Sequence, residues 1–184
     1  MKVYIYICLF ALFISCSRQK IKDNNNIMVS DTVYVIKQDI SLISPKTDVN
    51  LDSIRQEILL SMKRLGLTES DTLKYQCDIY DISSQGAEVN AYYLQGKIVL
   101  SQINIYGEMG QTKIVYEFAD NQIKVTEKDY QYEVEFMLVT DKDIKLIKDF
   151  SYTMNMEGIP LEKVDSNRVD VFQEFRQVVP FILR

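Results

Sequence analysis

Between Leu73 and about Val139, apolar residues recur at every second position, and that period constrains the fold more than any other feature of the chain. Tyr75, Cys77 and Ile79 alternate with Lys74, Gln76 and Asp78, and Val89, Ala91 and Tyr93 alternate with Glu88, Asn90 and Tyr92. A chain with period two puts one set of side chains on each side of a pleated sheet. Short turn sequences separate the runs: Ser83-Ser84-Gln85-Gly86, Gln95-Gly96, Gly107-Glu108-Met109-Gly110 and Asp120-Asn121. Gln95-Gly96 suits a two-residue hairpin, because glycine accepts the positive φ that such turns require. Parallel pairing needs crossovers of a dozen or more residues, so these short connections predict an antiparallel meander. Further strands are predicted at Lys97–Tyr106, Thr112–Phe118, Ile123–Val125 and Tyr132–Val139.

Upstream, Leu51, Ile54, Ile58, Met62 and Leu65 fall at steps of three and four, the face of an amphipathic helix. Asp48 or Asn50 can cap its start, and Gly66 stands where helices commonly end. Thr32–Ile36 reads as a further strand. Asp141–Phe150 has helix-like spacing at Ile144, Ile147 and Phe150, with a loop as the alternative. Ser166 is a candidate cap for a second helix, with Val169, Phe172, Phe175 and Val179 on one face until Pro180. The expected architecture is α+β: a curved antiparallel β-meander of five to six strands, with one or two amphipathic helices packed on one face.

The first residues decide the address. Met1-Lys2 is a short charged start, and Val3–Ile14 is uncharged and strongly apolar before Ser15-Cys16 and the polar run Ser17-Arg18-Gln19-Lys20. That arrangement describes a secretory signal. A membrane span needs roughly 20 apolar residues, and this run is shorter. Leu12-Phe13-Ile14-Ser15-Cys16 resembles the lipobox of bacterial lipoproteins, although Phe13 and Ile14 stand where leucine and a smaller residue are commoner. The resemblance covers the first sixteen residues only. It implies that residues 1–15 are removed and that Cys16 becomes a lipidated N-terminus. It also implies a protein of the cell envelope, attached to the outer membrane of a Gram-negative bacterium. A plain cleaved signal containing a cysteine, or an uncleaved anchor, is the alternative. Residues 16–30, with Asn24-Asn25-Asn26, read as a tether, and 31–184 as a single domain.

Removal of the signal leaves 169 residues, enough for one domain with a core. With Lys2 gone, 20 basic side chains face 26 acidic ones. That balance speaks against a nucleic-acid partner and against electrostatic adhesion to anionic lipid. Of three cysteines, only Cys77 would remain a free thiol in the mature domain. Its phase with Tyr75 and Ile79 marks it as a core residue rather than a nucleophile.

A second resemblance lies in the meander. Asn90-Ala91-Tyr92-Tyr93-Leu94-Gln95-Gly96-Lys97, Tyr106-Gly107-Glu108-Met109-Gly110 and Tyr116-Glu117-Phe118 are similar to hairpins of small exported bacterial proteins, over roughly residues 78–132. That likeness implies a fold and says little about function.

The chain has no histidine, which speaks against His-base hydrolases and most zinc sites. Its six glycines form no phosphate-binding loop, and no calcium loop of the EF-hand type is present. No cofactor, metal or catalytic residue is expected. Two acidic pairs, Glu133/Glu135 and Asp141/Asp143, are the basis for an alternative reading as an acid-dependent cell-wall hydrolase. A possible binding surface is carried by Tyr92, Tyr106 and Glu108. Tyr92 has the opposite phase from Tyr93, so one of the two faces away from the core, with cover by a helix as the plainer expectation. Glu108 lies in a glycine-flanked turn and reads most simply as a solvated turn residue. The leading expectation is a lipid-anchored, non-catalytic domain that binds an envelope protein, a peptide or a glycan. The third possibility is an assembly subunit of an envelope complex, which would show an exposed apolar patch.

Overall fold

The computed structural model describes residues 33–37, 50–68 and 70–183. The signal, Cys16, the tether, Thr32 and Asp48 lie outside them. The architecture is α+β. Seven strands form one mixed sheet in sequential order: β1 (Val33–Lys37), β2 (Thr72–Ile79), β3 (Ala87–Leu94), β4 (Lys97–Tyr106), β5 (Gly110–Ala119), β6 (Gln122–Tyr132) and β7 (Ile144–Asn155). Helix α1 (Leu51–Arg64) lies between β1 and β2, and α2 (Phe172–Val178) follows β7.

The sheet therefore has seven strands rather than five or six. From β2 to β7 every pairing is antiparallel, whereas β1 runs parallel to β2. The parallel pair is feasible because a long connection containing α1 joins those two strands, unlike the tight turns elsewhere. Gln95 and Gly96, and likewise Asp120 and Asn121, all have positive φ. Two successive positive φ values are those of a two-residue hairpin whose twist matches the strands it joins.

Three further expectations are corrected. β6 does not stop at Val125 but runs to Tyr132. Residues after Tyr132 leave the sheet, and Phe136–Leu138 form a single 3-10 turn where a strand to Val139 was expected. Ile144–Phe150 belongs to β7, neither helix nor loop, and pairs along β6 with a register shift at Asp129/Tyr130. That bulge leaves Ile147 as an extra residue in β7, so Ile144 and Phe150, on either side of it, take opposite faces of the sheet.

Helix α1 is capped by Asn50, whose Oδ1 accepts the N–H of Asp52 at 2.9 Å. It buries Ile54, Ile58 and Met62, while Leu65 at its end is exposed. Helix α2 begins at Phe172, later than a cap at Ser166 would give, and Val171 at its start makes no side-chain cap. Residues before it are held otherwise, since the N–H of Val169 goes to Glu127 rather than into a helix.

One core joins the sheet's inner side chains with those of both helices. Tyr116 meets the rings of Phe172 and Phe175 at 5.5 and 5.2 Å, and Phe181 packs on Phe118 at 5.2 Å. Such ring pairs add about 0.5–1.5 kcal/mol each beyond their buried area. The segment after α2 is fixed to the β3–β4 hairpin. Tyr93 donates its hydroxyl to the carbonyl of Pro180 at 2.7 Å, Ile98 N–H donates to Phe181 O at 3.0 Å, and Leu183 N–H to Gly96 O at 2.9 Å.

Candidate binding surface

The strand registers order the two faces of the sheet residue by residue. On the inner side, Tyr75, Ala91, Ser101, Tyr116, Val125 and Tyr152 stand in one cross-strand row. Cys77, Val89, Ile103, Ile114, Glu127 and Phe150 form the next. Cys77 is buried as expected, and burial pushes its thiol up to about 12, so it stays protonated.

The outer side is chemically different. One row reads Gln76, Asn90, Gln102, Val115, Thr126 and Ser151. On one side of it lie Lys74, Tyr92, Leu100, Glu117 and Lys124, and on the other Asp78, Glu88, Asn104, Lys113 and Lys128. Salt bridges cross this face between Lys124 and Glu117 at 3.5 Å and between Lys128 and Asp149 at 3.2 Å. Most of these side chains are half-buried or exposed, and among the described residues no helix lies over them. Among those residues, cover of Tyr92 by a helix is thus not found.

Near its centre this face holds a small carboxamide network. Glu88 Oε1 accepts from Gln76 Nε2 at 2.7 Å and from Asn90 Nδ2 at 2.9 Å. Asn90 is buried beneath its neighbours, and its Oδ1 has no hydrogen-bond partner. An unmatched buried acceptor is uncommon, because it loses its water without regaining a bond. Gln102, next to it in the row, is exposed.

Tyr92 and Tyr106 both project from the outer side, half-buried, but at opposite ends. Tyr92 lies beneath Lys74, whose Nζ is 5.8 Å from the ring centroid. Burial, with Glu88 nearby, raises the hydroxyls of both tyrosines above their ordinary value. The six residue steps of β4 from Leu100, the partner of Tyr92, to Tyr106 span about 20 Å at strand rise. The structure does not bring the two rings together. Glu108 is exposed in the β4–β5 turn, two residues beyond Tyr106.

That end of the sheet is the apolar one. Tyr132 N–H donates to Met109 O at 3.0 Å, Glu133 N–H to Asp143 O at 2.9 Å, and the rings of Tyr132 and Phe136 lie 6.0 Å apart. Around this knot Met137 is 87% exposed, Leu138 67% and Met109 66%, and Val134, Phe136 and Leu146 are also exposed. Sequence reading missed this tip because the alternation of Tyr132, Val134, Phe136 and Leu138 imitates a strand.

The acidic pairs do not converge. Glu133, Glu135 and Asp141 stand open on the surface. Asp143 is held by Thr140, whose hydroxyl and backbone N–H reach its Oδ2 at 2.5 and 2.9 Å and lower its pKa. The acid that sequence reading overlooked is Glu127, on the inner face and 0% exposed. Burial raises it to about 7, against the lowering effect of the Val169 N–H, and Lys148 Nζ lies 3.9 Å away. Its phase with Ile123 and Val125 was the available signal. Among the described residues, no three His, Cys, Asp or Glu side chains gather as metal ligands. Among the same residues, no helix is long and apolar enough to cross a membrane.

No family model, curated protein or solved structure matches the chain. Function must be argued from these side chains.

Proposed function

We propose that the chain is a lipid-anchored protein of the bacterial envelope whose domain binds another envelope protein, a peptide or a glycan without catalysis. In this reading Cys16 carries the lipid, and the outer face of the sheet with its two ends is the binding surface. The observation that carries it is the composition of that face, where carboxamides and half-buried tyrosines stand clear of both helices. A carboxamide donates and accepts at once, and a tyrosine ring offers an apolar plane with a polar rim, so both suit oriented polar ligands. Membrane attachment through lipid frees the domain from any need for a lipid-binding surface of its own.

The test is a binding screen of the intact protein against envelope peptides and cell-wall glycan fragments, repeated with Gln102→Ala and Tyr92→Ala. A hit should weaken at least tenfold in these variants while their melting temperatures stay unchanged. Turnover of a cell-wall polymer, abolished by changing an acidic pair, would replace this reading with the hydrolase.

A second reading, an assembly subunit of an envelope complex, draws on a separate observation. The exposed apolar tip around Met137 is the kind of surface such a subunit presents to its neighbour.

A further inference from the structure

Exposed Met109, Val134, Phe136, Met137, Leu138 and Leu146 crowd the end of the sheet where β6 gives way to the 3-10 turn. Single exposed apolar residues are ordinary, but a group of this size mixing methionine, leucine and phenylalanine is not. Methionine and phenylalanine are typical of the buried centre of protein interfaces, and methionine adapts its shape to the surface it meets. Hydrogen bonds from Tyr132 N–H to Met109 O and from Glu133 N–H to Asp143 O fix the backbone beneath the group. The tip is therefore a built feature of the domain rather than a fraying strand end.

Charge around the group selects its partner. Glu108, Glu133, Glu135 and Asp141 are exposed beside it, and Asp143 lies at its base, against Lys142 and Lys145. An acidic fringe disfavours anionic lipid headgroups and a second copy of the same fringe, because like charges brought together across an interface are repulsive. The tip also stands at the far end of the sheet from Val33, where β1 starts beside Thr72. The eleven residues of β6 that separate those ends span about 35 Å at strand rise.

From this juxtaposition we infer that the tip is a docking site for a protein whose own apolar contact surface is fringed by lysine and arginine. The inference rests on the binding reading for the compartment in which the partner is met, and it specifies the partner's chemistry. Apolar contact supplies the attraction at the centre, and the charged rims steer and align the two surfaces.

The test places a photo-crosslinking side chain at position 137 of the full-length protein in its own cell, with matched probes at Gln102 on the outer face and at Lys163. The expected result at position 137 is one protein adduct. Mass spectrometry should find in its crosslinked peptide apolar residues flanked by lysine or arginine. Adduct yield should fall several-fold when Glu133 and Glu135 are both changed to lysine, and several-fold at high salt in isolated envelopes. Adducts to phospholipid, adducts to another copy of this chain, a peptide lacking basic residues, or no adduct at all would overturn the inference. Adducts formed at Gln102 alone would do so too, while leaving the binding reading standing.

Discussion

Glu127 accepts the backbone N–H of Val169 with both carboxylate oxygens, each at 3.1 Å, and so ties the segment ahead of α2 to the middle of β6. The carboxylate does this from an apolar row between Ile114 and Phe150. Burial outweighs the help it receives from the N–H, from Lys148 and from Arg168, and the proton is held up to about pH 7. The folded protein thus binds this proton more tightly than the unfolded chain. The resulting stability is fully present below the ordinary glutamate range, about 4.3, and is lost as pH rises through about 7. Melting temperatures measured across that window should fall with rising pH. Glu127→Gln, which keeps an acceptor for Val169, should flatten the profile and melt higher than the native protein at pH 8. An unchanged slope in that variant would refute the assignment.

Tyr93 to Pro180 is a second long-range tie. Tyr93→Phe keeps the ring in the core and leaves the Pro180 carbonyl buried without its donor. The expected loss is about 1–3 kcal/mol, read by urea denaturation with an unchanged m-value. A variant as stable as the native protein would show that water replaces the hydroxyl.

Gly110 approaches its neighbour too closely for any side chain. A Cβ there would lie 2.2 Å from the carbonyl oxygen of Tyr130, a backbone atom in the partner strand. Gly110→Ala should cost about 1–3 kcal/mol and loosen the β4–β5 turn beneath the apolar tip. Hydrogen exchange of the Tyr132 amide, which bonds to Met109 O, should speed up in this variant.

Cys16→Ala should release the protein from membranes if the cysteine carries lipid, since two or more acyl chains are what make such anchoring stable. Mass spectrometry of the native protein, together with fractionation of the variant, checks this. A free thiol at that position in membrane-bound material would remove the lipid from the account.

The meander was legible because alternation and positive-φ turns act locally. Tyr75-Cys77-Ile79 and Val89-Ala91-Tyr93 announce their inner face, and Gln95-Gly96 announces its hairpin. β7 was illegible for a local reason as well: Ile144 pairs with Tyr132 on the outer side, Phe150 with Glu127 on the inner side, and Ile147 between them is the extra residue of a bulge, so their helix-like spacing is not the spacing of one face. What sequence cannot show is a partner far along the chain. The parallel bond of β1 to β2, and the choice of Val169 by Glu127, depend on segments distant from one another. Of the three nominated surface residues, Tyr106 and Glu108 lie near one another at the apolar end, and Tyr92 belongs to the other end. Alternation fixes which side a tyrosine takes but not its place along the sheet.

The attachment of Pro180, Phe181 and Leu183 to the β3–β4 hairpin bears on how the protein is made. A polypeptide synthesised only as far as Val178 has all seven strands but lacks the strip that closes over Tyr93 and Ile98. Until that strip is in place, the side chains of Tyr93 and Ile98 lack part of their cover, so the seven strands alone do not complete the core.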